Sequence, residues 1–364
     1  FTATAALADI TIGVTLPTTG PGAALGIPLK NSVELWPNEI AGEKLNVILL
    51  DDAGDPSIAT TNARRFVNDD KVDVIMGSAL TPASIAVSGV ANESGVTQFS
   101  VSPVPPSASG SKWTFVIPHD ASFIARKLFE KMKADGVKTV GYIGFADSYG
   151  DLWVNQFKAI GKEYGLEVVA EERYARPDTS VSGQVLKLVA ARPDAMFVGA
   201  SGTGAALPQL ALRERGYTGR IYQTHGAATI DFLRIAGASA DNTIFTSAPT
   251  IVAELLPDSS PVKAESIDYV KAYEAKYGDG TRTPFGAHAH DVMAILNKAV
   301  PIAMKNAKPG TTEFRTALRD AIEADGPFPA SGGVFQYAAD NHLGVDASDL
   351  VLLTVKDGKF ALAD

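Results

Sequence analysis

The sequence predicts an α/β protein made of two successive units, each a parallel sheet with helices on both faces. Three observations carry this. Apolar strand-like runs alternate with amphipathic helical stretches along the chain. The alternation stops at WTFVIPHD (113–120) and then restarts. The 364 residues exceed what one compact core usually serves.

In order, DITIGVTL reads as a strand, LKNSVELWPNEI as a helix and NVILLDD as a strand. PSIATTNARRFVNDD is a helix with Pro56 at its start, where a missing N–H costs nothing. VDVIMGS, PASIAVSGVANES and VTQFSVS continue as strand, helix, strand. After the break come helix SFIARKLFEKMKADG, strand TVGYIGF, helix DLWVNQFKAIGKEYG and strand LEVVAEERY. Helix VSGQVLKLVAARP, strand AMFVGAS, helix ALPQLALRERG and strand RIYQTHG follow. Repeated strand–helix–strand order implies parallel pairing. Beyond NTIFTSAP, VKAESIDYVKAYEAKYG, FGAHAHDVMAILNKAV and TEFRTALRDAIEA are helical, and the segment from Gly332 to Phe360 reads as a hairpin or strand pair.

Composition excludes several functions. Net charge is −9 with mixed signs, which argues against nucleic acid or an anionic membrane as partner. No cysteine is present, so thiol catalysis, Fe–S clusters and cysteine-based zinc sites are excluded. No apolar run approaches the ~20 residues that span a bilayer. Ala6-Leu7-Ala8 before Asp9 has the small-x-small pattern of a secretory cleavage site, so export is expected.

The first strand is followed by TLPTTGPGAALGIP, with Gly20, Gly22 and Gly26, and the second ends in Asp51-Asp52. A dinucleotide site has this outline, but the detail is wrong. The spacing is GxGxxxG, Pro21 lacks an N–H, and the helix is expected only near Pro28. The aspartates are explained by capping of the following helix. No G-x-S-x-G or phosphate-loop motif occurs. His288 and His290 stand two apart in a helical pattern, so they point in different directions and make a poor metal pair. No cofactor, metal or catalytic residue is expected.

Taken together, ITIGVTLPTTGPGAALG, VIMGSALTPASIAVSGVANESGVTQFSVS, GFADSYGDLWVNQFKAIGKEYG and THGAATIDFLRIAG resemble the periplasmic solute-binding proteins of branched-chain amino acid ABC transporters, the leucine-isoleucine-valine-binding type. The resemblance runs from Asp9 to about Lys359. It implies a type I periplasmic binding protein: two Rossmann-like lobes, three crossover hinge strands and a ligand cleft between lobes. The crossovers are expected near 118–120, 246–250 and 327–331. One lobe would then comprise 9–119 plus 250–328, the other 120–249 plus 329–364.

The resemblance also implies ligand-binding residues. Leu25 matches an apolar wall, although core packing explains it as well. Ser78 matches a carboxylate contact, with Ala79 and Leu80 as backbone donors beside it. Ser100 and Ser102 add hydroxyls, or merely cap structure. Tyr149 matches a cleft tyrosine. Ser201, Gly202 and Thr203 close the site, and His290, with His288, offers a polar wall or packs its helix. His225 stands where amino-acid binders carry the glutamate that pairs with the ligand ammonium. A buried ammonium without a counter-charge is costly. The expected ligand is therefore a small carboxylate without that group, an aromatic acid or an oxo acid, unless Asp147 or Asp291 restores the acid. The expected partners are this ligand and a membrane permease, with the protein a periplasmic monomer. Branched-chain amino acid binding, a ligand-sensing domain of the same fold and an oxidoreductase are the competing readings.

Overall fold

The computed structural model describes residues 9–105 and 112–363; the expected cleavage site near Ala8 lies outside them. The chain divides into two compact units. The first comprises the chain to Pro118 and Phe285–Val345; the second comprises His119–Pro284 and the chain from Asp346.

The first unit is built on β1 (Ile10–Leu16), β2 (Glu39–Ile40), β3 (Glu43–Asp51), β4 (Val74–Gly77), β5 (Thr97–Ser100) and β6 (Thr114–Val116). Their order is β2-β3-β1-β4-β5-β6, parallel throughout except for the short antiparallel edge β2. A dinucleotide fold would place the second strand's outer neighbour third in the chain. Here β1 lies between β3 and β4, the other doubly wound order. Strand alternation sorts the core. Ile10, Ile12, Val14 and Leu16 of β1 join Val74 and Met76 of β4 on one face. Ile75 points into the opposite cluster, with Phe66 and Val87. Gly13 also lies on that second face, where a Cβ would strike the Phe66 ring. The helices α1 (Ala23–Val33), α2 (Pro56–Asn68) and α3 (Thr81–Ser94) complete the early part of this unit.

Helix α1 corrects the expectation that helix begins near Pro28. It starts at Ala23, directly after a 3₁₀ turn at Gly20–Gly22, and Pro28 lies inside it. Close packing of the loop decides this: a Cβ at Gly26 would collide with the Pro17 carbonyl. The aspartate roles are also corrected. Asp55 caps α2, accepting from Ser57 N at 2.7 Å and Ile58 N at 3.1 Å. Asp51 and Asp52 hold loops instead, as described below.

The second unit uses β7 (Thr139–Phe145), β8 (Glu167–Tyr174), β9 (Ala195–Gly199), β10 (Arg220–Gln223) and β11 (Ile244–Ser247). The first unit then receives the small hairpin β12 (Phe328–Pro329) and β13 (Val334–Phe335). The second unit receives the antiparallel pair β14 (Val351–Lys356) and β15 (Lys359–Leu362). Its sheet order is β15-β14-β11-β10-β9-β7-β8. The central order, β8-β7-β9-β10, repeats that of the first unit. A matching brace recurs too. Asp73, before β4, accepts from Thr11 N at 3.0 Å; Asp194, before β9, accepts from Thr139 N at 2.8 Å. Each ties the start of one strand to its neighbour.

The chain passes between units three times, but two of the passages differ from the expected positions. Residues 250–284 belong to the second unit because Ile251 and Val252 are buried in its core with Leu353 and Phe245. Residues 329–345 belong to the first because the segment is bound to β6. His342 O accepts from Val116 N at 2.9 Å, and the His342 ring stacks on Phe115 at 4.0 Å. The Tyr337 hydroxyl donates to Val116 O at 3.1 Å.

Candidate functional site

Open α/β sheets bind ligands at the carboxyl ends of their strands. In the first unit, the register Thr15↔Gly77 and Leu16↔Asp51 brings together the loops after β1, β3 and β4. Asp51 fastens the glycine loop: it accepts from Thr18 N at 2.8 Å, Thr19 N at 3.3 Å and the Thr19 hydroxyl at 2.5 Å. Burial alone would raise this carboxyl, but these bonds and one from Ala53 N hold it below its usual value. The Thr18 and Thr19 N–H groups are thus taken by Asp51, and the strand order departs from that of a dinucleotide fold.

Asp52 is fully buried and accepts from Thr15 Oγ1 at 2.8 Å and Gly54 N at 2.9 Å. Desolvation raises its pKa against those bonds. The Ser78 hydroxyl is buried and makes no well-formed hydrogen bond, yet it sits near enough to Asp52 to favour that carboxylate. Leu25 and Leu80 are each 3% exposed. Leu25 joins the core, and Leu80 Cδ1 fills the space that Gly22 and Gly54 leave open. Ala79 lies buried beside it. No side chain caps the first turn of α3, which Leu80 precedes.

Ser100 and Ser102 are occupied by the protein. Ser100 Oγ lies 2.6 Å from Ser102 O and 2.6 Å from Ser84 Oγ, so its single proton goes to a protein oxygen. Thr81 Oγ1 donates to Pro103 O at 3.0 Å, which leaves Ser102 to donate to Thr81 across 2.9 Å. The expected hydroxyl donors are therefore used to tie the β4 and β5 loops together. Asp291 is likewise engaged, accepting from Ser331 N at 2.8 Å and Ser331 Oγ at 2.7 Å. His288 is buried edge-on to Phe285, and His290 is half-buried on the same helix, Pro284–Ala303.

The second unit gathers Tyr149, Ser201 and His225 at the ends of β7, β9 and β10. The Tyr149 hydroxyl bonds Thr224 Oγ1 at 2.8 Å, and Thr224 donates to Ala200 O at 2.8 Å. Gly226 permits this, since a Cβ there would strike the Tyr149 hydroxyl and Ser201. The His225 ring lies 6.2 Å from Tyr149 and 5.9 Å from Trp153, between centroids. His225 is 8% exposed, and its Nδ1 is buried without a partner. Desolvation, with a smaller effect from His119, pushes its pKa down to about 3, so the imidazole is neutral. His119, also buried, falls to about 4 through desolvation, against the pull of Asp346. Thr203 is half-buried in the 3₁₀ turn Gly202–Ala205.

Two residues of this cluster escaped the sequence reading as site residues: His119 and Arg176. Arg176 follows β8, and its Nε bonds Asp147 Oδ2 at 2.6 Å. Asp147 also caps the helix Ser148–Ile160, accepting from Tyr149 N at 2.9 Å and Gly150 N at 3.2 Å. Neither Asp147 nor Asp291 is left to pair with an ammonium. The available signal was Arg176 itself, a cation just past a strand's carboxyl end. Nothing local in YARPD announces its partner, which lies 29 residues away.

Among the described residues no group of three or more His, Asp or Glu is placed to hold a metal, and no helix is long and apolar enough to cross a membrane. A family model for periplasmic binding proteins matches residues 9–359. The Leu/Ile/Val-binding protein homolog 3 of Brucella melitensis is 25% identical, covering 96% of this chain and 92% of that protein. An extracellular ligand-binding receptor from Rhodopseudomonas palustris HaA2 is 52% identical with a TM-score of 0.96, covering 98% and 100%. A solute-binding protein from R. palustris in complex with benzoate shares the fold at 21% identity and a TM-score of 0.82, covering 97% and 95%. The chain therefore belongs to the periplasmic binding protein family, whose members are extracytoplasmic solute receptors of ABC transporters rather than enzymes.

Proposed function

We propose that the protein binds a small organic acid lacking an α-ammonium group, an aromatic or 2-oxo acid, and delivers it to a permease. The observation that carries this is the neutral, buried His225 beside Tyr149 and Trp153, its Nδ1 unmatched. A neutral imidazole offers a donor or acceptor to a phenol, carbonyl or hydroxyl, but no charge to an ammonium. Asp147, the nearby acid, is consumed by its cap and by Arg176. Tyr149 and Trp153 surround His225 with apolar core surface, which disfavours an ammonium beside it.

Calorimetry tests this with leucine, valine, benzoate and 4-methyl-2-oxopentanoate. Binding of benzoate or the oxo acid with no response to leucine or valine is expected. Tight leucine binding with no response to either acid would return the protein to the amino-acid receptors.

A further inference from the structure

We infer that Arg176 is the anchor for the ligand's anionic group, through its Nη2. This rests on the organic-acid reading above and adds where the charge is held. The guanidinium has five N–H donors in a rigid fork. Nε is taken by Asp147 at 2.6 Å, and Nη1 reaches Ser201 Oγ at 3.3 Å. Nη2 is buried and bonds to nothing in the protein. The side chain as a whole is 15% exposed. Buried cationic N–H groups are expensive to leave unmatched, so such an atom marks a place for an acceptor.

A purely structural arginine does not account for this arrangement. One ion pair with Asp147 needs only one edge of the guanidinium. The remainder would be cheaper in water, yet it is packed over Phe145, with Cζ 4.1 Å from the ring centre. Nor does Asp147 use up the cation. Its charge is already shared with Tyr149 N and Gly150 N at a helix start, which favours an anion there. Arg176 therefore keeps attraction for a second anion.

The position suits a ligand that also meets His225. Arg176 Cζ lies 6.0 Å and the His225 ring 6.2 Å from the centre of the Tyr149 ring. One tyrosine thus stands next to both a cationic fork and a neutral imidazole. The serines expected to donate to a carboxylate, Ser100 and Ser102, have spent their protons within the first unit. Ser78 keeps an unmatched hydroxyl in the first unit, but the unmatched donor that carries a positive charge is on Arg176.

The test is calorimetry with benzoate, 4-methyl-2-oxopentanoate and leucine, and with the primary amide of whichever acid binds. Wild type, Arg176→Gln and Arg176→Lys are compared, with circular dichroism as a check on folding. Arg176→Gln should bind the acid about 10- to 100-fold more weakly, the scale of one lost charged hydrogen-bond set. Its preference for acid over amide should collapse, which a structural role would not produce. Arg176→Lys, a point charge without the fork, should fall in between. A folded Arg176→Gln with unchanged affinity or undiminished acid preference overturns the inference. If the glutamine variant does not fold, unchanged affinity in the lysine variant overturns it instead. If leucine alone binds, the organic-acid reading fails; Arg176 then stands if leucine binding drops in the variant and falls if it does not. Failure of benzoate, 4-methyl-2-oxopentanoate and leucine alike to bind wild type overturns both.

Discussion

Asp147 binds Arg176 Nε at 2.6 Å while capping the helix that carries Tyr149. One carboxylate thus positions two residues of the candidate site. Asp147→Asn should keep the cap but lose the ion pair, leaving Arg176 without its counter-charge and costing about 1–3 kcal/mol. Urea unfolding measures this. A loss below about 0.5 kcal/mol, the range of neutral surface changes, would show that the pair contributes little.

Gly226 is required by close approach. Gly226→Ala should push a methyl group into the Tyr149 hydroxyl and Ser201, costing about 1–3 kcal/mol. Adding Tyr149→Phe, which removes the hydroxyl, should restore part of the loss. Strict additivity in the double-variant cycle would mean the two sites do not touch.

Acid should destabilise the protein through its buried histidines. The unfolded chain titrates His119 and His225 near 6.5, whereas burial holds the folded values at about 4 and about 3. Below 6.5 the unfolded state binds more protons. Stability is therefore full above pH 6.5 and is lost as pH falls towards those folded values. Each histidine should contribute on the order of 1 kcal/mol per pH unit within its window. The double variant His119→Gln/His225→Gln should show a flatter decline between pH 6.5 and 4.5 in urea unfolding. An identical slope would remove these residues as the cause.

Asp51→Asn should loosen the glycine loop without unfolding the unit. Its carboxylate receives N–H groups from Thr18, Thr19 and Ala53, and an amide accepts fewer of these and more weakly. Amide hydrogen exchange at Thr18 and Thr19 should accelerate by at least about tenfold, against little change in β1. Equal protection in both proteins would show that the loop is held by packing alone.

The hydroxyls of the first unit show what residue type leaves undecided. Ser100 and Ser102 are small, polar and placed after a strand, as a carboxylate-binding loop requires. The structure spends them on Ser84 and Thr81, 16 and 21 residues away. Donor capacity is visible in a sequence; donor occupancy is not, because it depends on which distant acceptors the fold delivers. The reverse holds for Arg176, an ordinary surface type that tertiary contacts turned into a largely buried cation, paired with Asp147 but with Nη2 unmatched.

The sequence by itself determined the local elements. Strand alternation in ITIGVTL, the Asp55-Pro56 helix start and the break at WTFVIPHD follow from side-chain period, capping and backbone freedom, which neighbouring residues decide. Those signals established the α/β class and the repeat of the architecture, and the glycine spacing argued against a nucleotide loop. Only the tertiary structure decided membership of the later segments. Residues 250–284 and 329–345 carry ordinary helical and strand signals, and they go where Ile251 and Val252, or Tyr337 and His342, find burial and partners. The same holds for the site. Burial neutralises His225, and a 29-residue separation joins Arg176 to Asp147. Both are consequences of desolvation and of contacts between elements, and neither has a local pattern to be read.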